Sequence, residues 1–440
     1  MRLEEANERA LAEPKAPPTE PPTEGQLKEI LEAARLAPSA YNVQPWQFRV
    51  LDSSIRKEEV AEAFSIPKAP DDGPAWILCL MDRNRMLPVA DPLGTETYIA
   101  LGALVLNVRV AAAAQGLACR VVGPFESRNP PWRPRTISFA VNLDPYFVFI
   151  IGQGGQADFS ADPRPAVYRL NTFQSQPKKA GPSPKPESAM DALECVRLRR
   201  VDREALGRGD SWAEDSVRIL SAGRRALEAH GAAEVELLLV EDDEKTVELT
   251  GLQEKAWRKA MTDRHRLAEI SVWLRFSRDE WKKRRDGELV RHFGLGPLKG
   301  LIAKLGLSSG LAPLGLRFGA GRLFIQKVQA SPETTGAFLT TVLEDPGGRF
   351  STDDLYRRRI LTGVGACLEA IWLRATSLGA SLQFQTSTMV VEEVRAEVRA
   401  ALEVPETHEL LSLIRMGYPV REMKYTNIRR DPKEITGQGD

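Results

Sequence analysis

The segment RLAPSAYNVQPWQF at 35–48 gathers residues that stop a helix and carry short polar side chains. Pro38, Asn42 and Pro45 turn the chain. Backbone N–H and C=O groups in such a turn lose their helical partners and are free to bond a flat heterocycle. Ser39 and Asn42 add hydroxyl and amide donors and acceptors. A loop that only caps the preceding helix uses the same residue types, so spacing alone leaves both readings open.

Other patterns with a chemical meaning are weaker. GLSSG at 306–310 matches a nucleophile elbow in letters only: it follows a helical Lys/Leu segment instead of a strand, and only His408 comes after it. GVGAC at 363–367 lacks the third glycine of a dinucleotide fingerprint. His230, His265, His292 and His408 lie far apart, so neither a metal site nor a triad follows from them. Cys79, Cys119, Cys195 and Cys367 form no CxxC pair, which argues against a disulfide framework or a zinc cluster and for buried thiols.

The chain around these residues has 440 positions, with 60 Lys+Arg balanced by 60 Asp+Glu and 42% hydrophobic residues. That composition supports a sizeable core, and the balanced charge excludes a global basic field for nucleic acid. The N-terminus is acidic and lacks the apolar core of a signal peptide. The longest apolar run, 98–116, contains Asn107, Arg109 and Gln115 and reads as a buried helix instead of a membrane span. A cytoplasmic protein with no nucleic-acid or membrane partner is the expectation.

Residues 1–25, rich in Glu and Pro, read as a flexible arm or strap. A first unit spans 26–155. Leu27, Ile30, Leu31, Ala34 and Leu36 predict a helix after Thr23 that stops at Pro38; 46–51, 75–81, 137–141 and 147–151 predict strands; 101–117 predicts a long helix closed by Gly116. A linker occupies 156–188, clearest in QSQPKKAGPSPKPES at 174–188. A second unit, 189–440, repeats the order. It has an amphipathic helix at 216–231, a strand at 235–240, a long apolar helix at 365–379 and a strand at 410–419. It carries an extra stretch at about 252–330, where 273–288 predicts a charged helix bearing Trp273, Phe276 and Trp281. A Gly-rich segment there suits a flap over a site.

PSAYNVQPW resembles the PS-x-x-N-x-QPW segment of nitroreductase-like flavoproteins. GALVLNVRVAAAAQGL resembles that family's central helix, LRRVDREAL (198–206) its basic N-terminal segment, and GYP (417–419) with IRRDP (428–432) its C-terminal strand and basic tail. The resemblance implies an α+β fold, a mixed and mostly antiparallel sheet flanked by helices, present twice and fused as a pseudo-dimer. It also implies FMN as cofactor. The turn motif stands only in the first copy and the paired arginines only in the second, so the resemblance implies one complete FMN site per chain, built from both halves. By motif position Arg199 and Arg430 would hold the phosphate, assisted by Arg200 or Arg429. Arginine's planar fork suits such an oxyanion. Arg203 would approach the ribityl chain and ring, and Pro38, Ser39 and Asn42 would meet ring and ribityl. Val201 stands where the family usually has Ser, which removes one hydrogen-bonding group.

The resemblance implies an FMN-dependent oxidoreductase that passes hydride in and out at the flavin, with no catalytic side chain to name and NAD(P)H as one candidate donor. Its substrate would be a small molecule, peptides and natural products included. A flavin-binding protein that sequesters its cofactor with little turnover is the alternative, and a partner subunit that has lost flavin is a third. A fused pair has less need to self-associate, so a monomer is expected.

Overall fold

The computed structural model describes residues 1–12, 14, 18–66, 73–123, 140–154, 190–199, 201, 205–293, 297–307, 335–420 and 428–436. The linker at 156–188, residues 137–139 of the strand expected at 137–141, Arg200, Arg203 and most of the Gly-rich run lie outside them, and 140–141 are not strand.

Two antiparallel sheets share one topology. In the first copy β1 (Trp46–Leu51), β2 (Ala75–Asp82), β3 (Ala118–Val122) and β4 (Leu143–Gly152) stand in the order β1-β2-β4-β3. In the second, the strand Leu206–Gly207 is β5, and β6 (Val235–Val240) leads the main sheet. With β7 (Leu274–Arg275) and β8 (Glu288–Leu289) forming a small parallel pair, the sheet continues through β9 (Ala337–Glu344), β10 (Ser381–Phe384) and β11 (His408–Pro419). Its order is β10-β11-β9-β6, with β5 added on β11. Read from β6, that is the first copy's order again. The repeat expected from the sequence is therefore a repeat of topology. β9 is the second-copy counterpart of β2, and sequence reading missed it. A single parallel bridge, Val201 to Leu382, ties the segment after Arg199 to the edge of this sheet.

Helices pack between and around the sheets. α1 (Leu3–Leu11) replaces the flexible arm expected there: Leu3, Ala6, Asn7 and Ala10 recur at helical spacing and are buried, and no proline interrupts the stretch. α2 (Glu24–Arg35) starts on a capping box in which Thr23 and Gln26 each satisfy the other's backbone N–H, and it ends before Pro38. After α3 (Ser54–Ala63) comes α4 (Thr95–Ala114), starting earlier than its apolar run suggested. Its 18-residue window is apolar enough for a membrane span, yet 94% of it is buried in protein. α5 (Ala192–Leu198) and α6 (Trp212–Ala229) open the second copy, and α7 (Asp243–Thr262) carries the chain into the inserted stretch. Within that stretch 273–288 is not one helix. Only Arg278–Arg284 is helical, capped by Ser277, because Arg285 (φ 54°) and Gly287 (φ 72°) turn the chain back so that Asp286 pairs with buried Arg275 at 2.6 Å. The four cysteines are buried free thiols.

α4 crosses the second long helix, Asp354–Ser377, at the centre of the largest core cluster. The crossing is symmetric. A Cβ on Gly102 would lie 2.0 Å from the Thr362 carbonyl oxygen, and a Cβ on Gly365 would lie 2.0 Å from the Ile99 carbonyl oxygen. Each glycine thus meets the carbonyl three residues before the other. Gly116 (φ 75°) and Gly379 (φ 75°) follow the two helices in left-handed conformation and stop them. Gly102→Ala or Gly365→Ala should each destabilise the protein by about 1–3 kcal/mol or more through overpacking. The double variant should cost less than the sum, because both act by prising apart one contact. Denaturant titration of the three variants tests this; full additivity would mean that the two glycines do not share a crossing.

Candidate functional site

The turn between α2 and β1 is held in an unfavourable backbone conformation. Tyr41 (φ 47°), Asn42 (φ 53°) and Gln44 (φ 52°) are all left-handed. For residues other than glycine this costs on the order of 1–2 kcal/mol each, least for Asn. The cost is offset by a dense set of hydrogen bonds from two distant segments. The Asn42 amide nitrogen donates to the carbonyls of Gly287 (3.3 Å) and Ile428 (2.8 Å). Gly287 N–H donates back to the Asn42 carbonyl at 3.2 Å. Gln44, fully buried, donates through its side chain to the carbonyls of Asn42 (3.3 Å) and Arg285 (3.0 Å) and accepts from Arg430 N–H at 2.8 Å. Within the turn Gln44 N–H donates to the Ser39 hydroxyl at 2.9 Å. Arg85 donates to the Val43 carbonyl (2.8 Å) and reaches Asp286 at 3.1 Å.

This turn forms one wall of a cavity with roughly 1230 Å³ of empty space, part of it continuous with solvent. Pro38 to Tyr41 come from the turn, and Glu96, Ile99 and Ala100 from one face of α4. The second copy supplies Val201, Trp372 and the stretch 383–387. The remaining wall belongs to α7 and the inserted stretch: Gln253, Glu254, Trp257, Glu288 and Phe293, with Trp257 and Phe293 stacked at 6.0 Å. The insertion also packs Met261, Trp273 and Val290 against Val43, Leu87 and Ala90 of the first copy. Two glutamines in the wall, Gln253 (7% exposed) and Gln383 (6% exposed), bury side-chain oxygens that have no hydrogen-bond partner among the described residues. So does Asn42, whose amide orientation is set by its two donated bonds. Orphaned buried acceptors await a donor.

Behind the cavity lies a buried cluster of charge. Arg199 Nε meets Glu369 at 3.0 Å, with side chains 3% and 0% exposed. Its guanidinium stacks over Trp372 at 4.7 Å and also donates to the Leu36 carbonyl at the end of α2. Arg429 Nε donates to the next carbonyl, Ala37, at 3.3 Å. Burial, and then repulsion from Arg199, push Arg429 down to about 9. Burial raises Glu369 to about 7, against the pull of Arg199, Asn107 and Arg429. Two guanidiniums thus come together near a carboxyl that is itself reluctant to ionise, and Glu288 also acts on Arg429.

The nitroreductase family model matches residues 18–154 and 213–418. This chain belongs to the nitroreductase family. The match takes in the turn and both crossing helices, but neither arginine segment. Oxygen-insensitive NADPH nitroreductases of two Helicobacter pylori strains are 35% identical over 65 residues and 31% identical over 67 residues. These stretches are 14% and 15% of this chain, and the chain spans only 31% and 32% of those proteins. A putative nitroreductase from Anabaena variabilis aligns over 94% of this chain and 91% of its own, at 12% identity and a TM-score of 0.48. A putative nitroreductase in complex with FMN from Desulfovibrio desulfuricans aligns over 37% of this chain and 90% of its own, at 22% identity and a TM-score of 0.31.

In this nitroreductase-family chain the described site residues expected from the motifs divide into three groups. Pro38 and Ser39 line the cavity. Asn42 and Arg430 lie close together but hold backbone: Arg430 donates to the carbonyls of Gln44 (2.8 Å) and Trp46 (2.6 Å) and clamps the C-terminal segment to the turn. Arg199 and Arg429 meet behind the cavity, on the carbonyls that end α2. Arg200 and Arg203 lie outside the described residues. Val201 lines the cavity. Gln44 and Glu369 were missed, although each had a signal: a glutamine inside the quoted motif, and a lone carboxylate in an apolar helix. Glu96, Gln253 and Gln383 had none.

Gln44→Ala should destabilise the protein by about 2–4 kcal/mol, since it removes three hydrogen bonds and leaves a buried gap. It should also speed trypsin cleavage after Arg429 and Arg430. Unchanged melting and unchanged cleavage would show that the clamp is held elsewhere.

Proposed function

We propose that this chain is an FMN-dependent oxidoreductase with one flavin bound between its two halves, and that the halves, 26–155 and 189–440 with the insertion at about 252–330, form a pseudo-dimer. The shared strand order and the symmetric Gly102–Gly365 crossing support the second point. The observation that carries the first is a meeting of parts. The first copy's turn forms the wall of a cavity behind which the second copy's Arg199 and Arg429 bring two buried guanidiniums together. The fit is chemical: a phosphate would pair with those guanidiniums, and the orphaned acceptors of Asn42, Gln253 and Gln383 would take donors from a ribityl chain or a ring N–H. Arg199 and Arg429, with Arg200, would hold the phosphate and Arg203 would approach the ribityl chain and ring; Pro38 and Ser39 would bound the ring. Arg430 is better read as the clamp that shapes the turn. When bound, FMN supplies hydride transfer to and from a two-electron partner. The chain's own part is to bind, orient and exclude water. A small-molecule substrate, a monomeric state and a cytoplasmic address complete the reading, with NAD(P)H a candidate donor.

A second reading is favoured by the insertion, which walls the cavity with Trp257 and Phe293 and is tied to the turn through Asn42 and Gly287. A wall of this kind suits a protein that sequesters its flavin with little turnover. Anaerobic addition of NADH or NADPH separates the two readings. Rapid bleaching supports the enzyme, and bleaching by dithionite alone supports sequestration or a different donor.

Purified protein should show a flavin spectrum with one FMN per chain. Arg429→Ala should weaken FMN binding at least tenfold, the loss of one charge-assisted contact of about 1.5–3 kcal/mol. Two FMN per chain, or equal affinity in the variant, would refute the shared site.

A further inference from the structure

Glu96 stands in the first turn of α4, where a carboxylate is normally stabilised by unpaired backbone N–H groups. That place is already taken. Asp91 accepts from Thr97 N–H at 3.2 Å, and the N–H groups of Thr95 and Glu96 also stabilise its charge. Glu96 is left beside a second acid, facing a cavity whose nearest wall is Ile99 and Ala100. Burial, then repulsion from Asp91, raise Glu96 to about 8, and burial raises Asp91 to about 6 against its hydrogen bonds. Across the cavity the charged groups are Glu254 of α7 and Glu288 of β8, both acidic. On the opposed long helix, Asp354, Arg357 and Arg358 act on Tyr98, two positions along α4. None of these removes the reason for Glu96 to stay protonated at neutral pH.

We propose that Glu96 is the proton donor of this cavity. A neutral, planar two-electron acceptor of quinone type, bound there, takes hydride from reduced flavin and a proton from the Glu96 carboxyl. The acceptor leaves as its dihydro form, the flavin is oxidised, and the Glu96 carboxylate regains its proton from solvent. The inference rests on the flavin reading above. It adds a residue that touches the substrate.

The test uses FMN-loaded protein, reduced by dithionite and mixed anaerobically with menadione across a pH series. In the wild type the reoxidation rate should fall as pH rises through about 8. The sign follows from the protonated form being the active one. Glu96→Gln keeps the shape but holds no transferable proton; it should slow reoxidation by about 100-fold or more at neutral pH and flatten the profile. The infrared carbonyl bands of protonated carboxyls, titrated on protein without flavin, should include one component that is lost near pH 8 in the wild type and is missing from the variant, apart from those of Glu369 and Asp91, which titrate lower. A Glu96→Gln protein that reoxidises at the wild-type rate with the wild-type profile overturns the donor role alone, as does an infrared component titrating near pH 8 that persists in the variant. Protein that takes up no FMN overturns the flavin reading and the donor role together.

Discussion

The distance between the two halves is set by one backbone contact. α4 and the second long helix approach so closely at Gly102 and Gly365 that neither position has room for a methyl group. Everything that joins the copies is measured from there. The core cluster runs continuously from one copy to the other across these helices. Arg199 can reach Glu369 on the second helix and the last carbonyls of α2 on the other side only because the helices between them are in contact. A wider crossing would separate the charge cluster from the turn.

The second constraint is strain, and it is local. Three consecutive-region residues of the turn adopt left-handed backbone, which a free loop would relax. They are kept there by segments far away in sequence: 285–287 from the insertion and 428–430 from the C-terminal end. The turn is therefore shaped by the second copy, although it belongs to the first. This division makes the cavity a joint product. Gln253, Gln383 and most of its aromatic wall come from one copy, and its turn and the Glu96 carboxyl from the other. The buried charges follow the same rule, since Arg429 and Glu369 take their unusual proton affinities from neighbours brought in by tertiary packing.

Much of this was legible in the residues alone. The capping box at Thr23, the stop at Pro38, the strand at 46–51 and the two long apolar helices are local signals, because capping, turn chemistry and hydrophobic period act over a few residues. The family resemblance came from the same kind of signal, a short motif whose proline, asparagine and glutamine each have a backbone reason to be there. Where reading failed, the deciding interaction was distant. The stretch 273–288 has helical composition, yet a buried pair between Arg275 and Asp286 folds it back on itself. Arg430 reads as a phosphate ligand beside Arg429, yet only its neighbour lies in the charge cluster; Arg430 turns to the carbonyls of Gln44 and Trp46.

What the sequence by itself determined is most of the first copy's elements, the two long helices, the repetition and the residue types placed at the turn and in the arginine segments. The tertiary structure decided which of those residues share a space and in what state of charge. The physical reason is range. A helix cap or a strand is settled by neighbours along the chain, whereas the proton on Glu96 depends on Asp91 already holding the helix terminus and on the apolar wall beside it. The lowered proton affinity of Arg429 likewise depends on Arg199, more than two hundred residues away in the chain, being buried beside it.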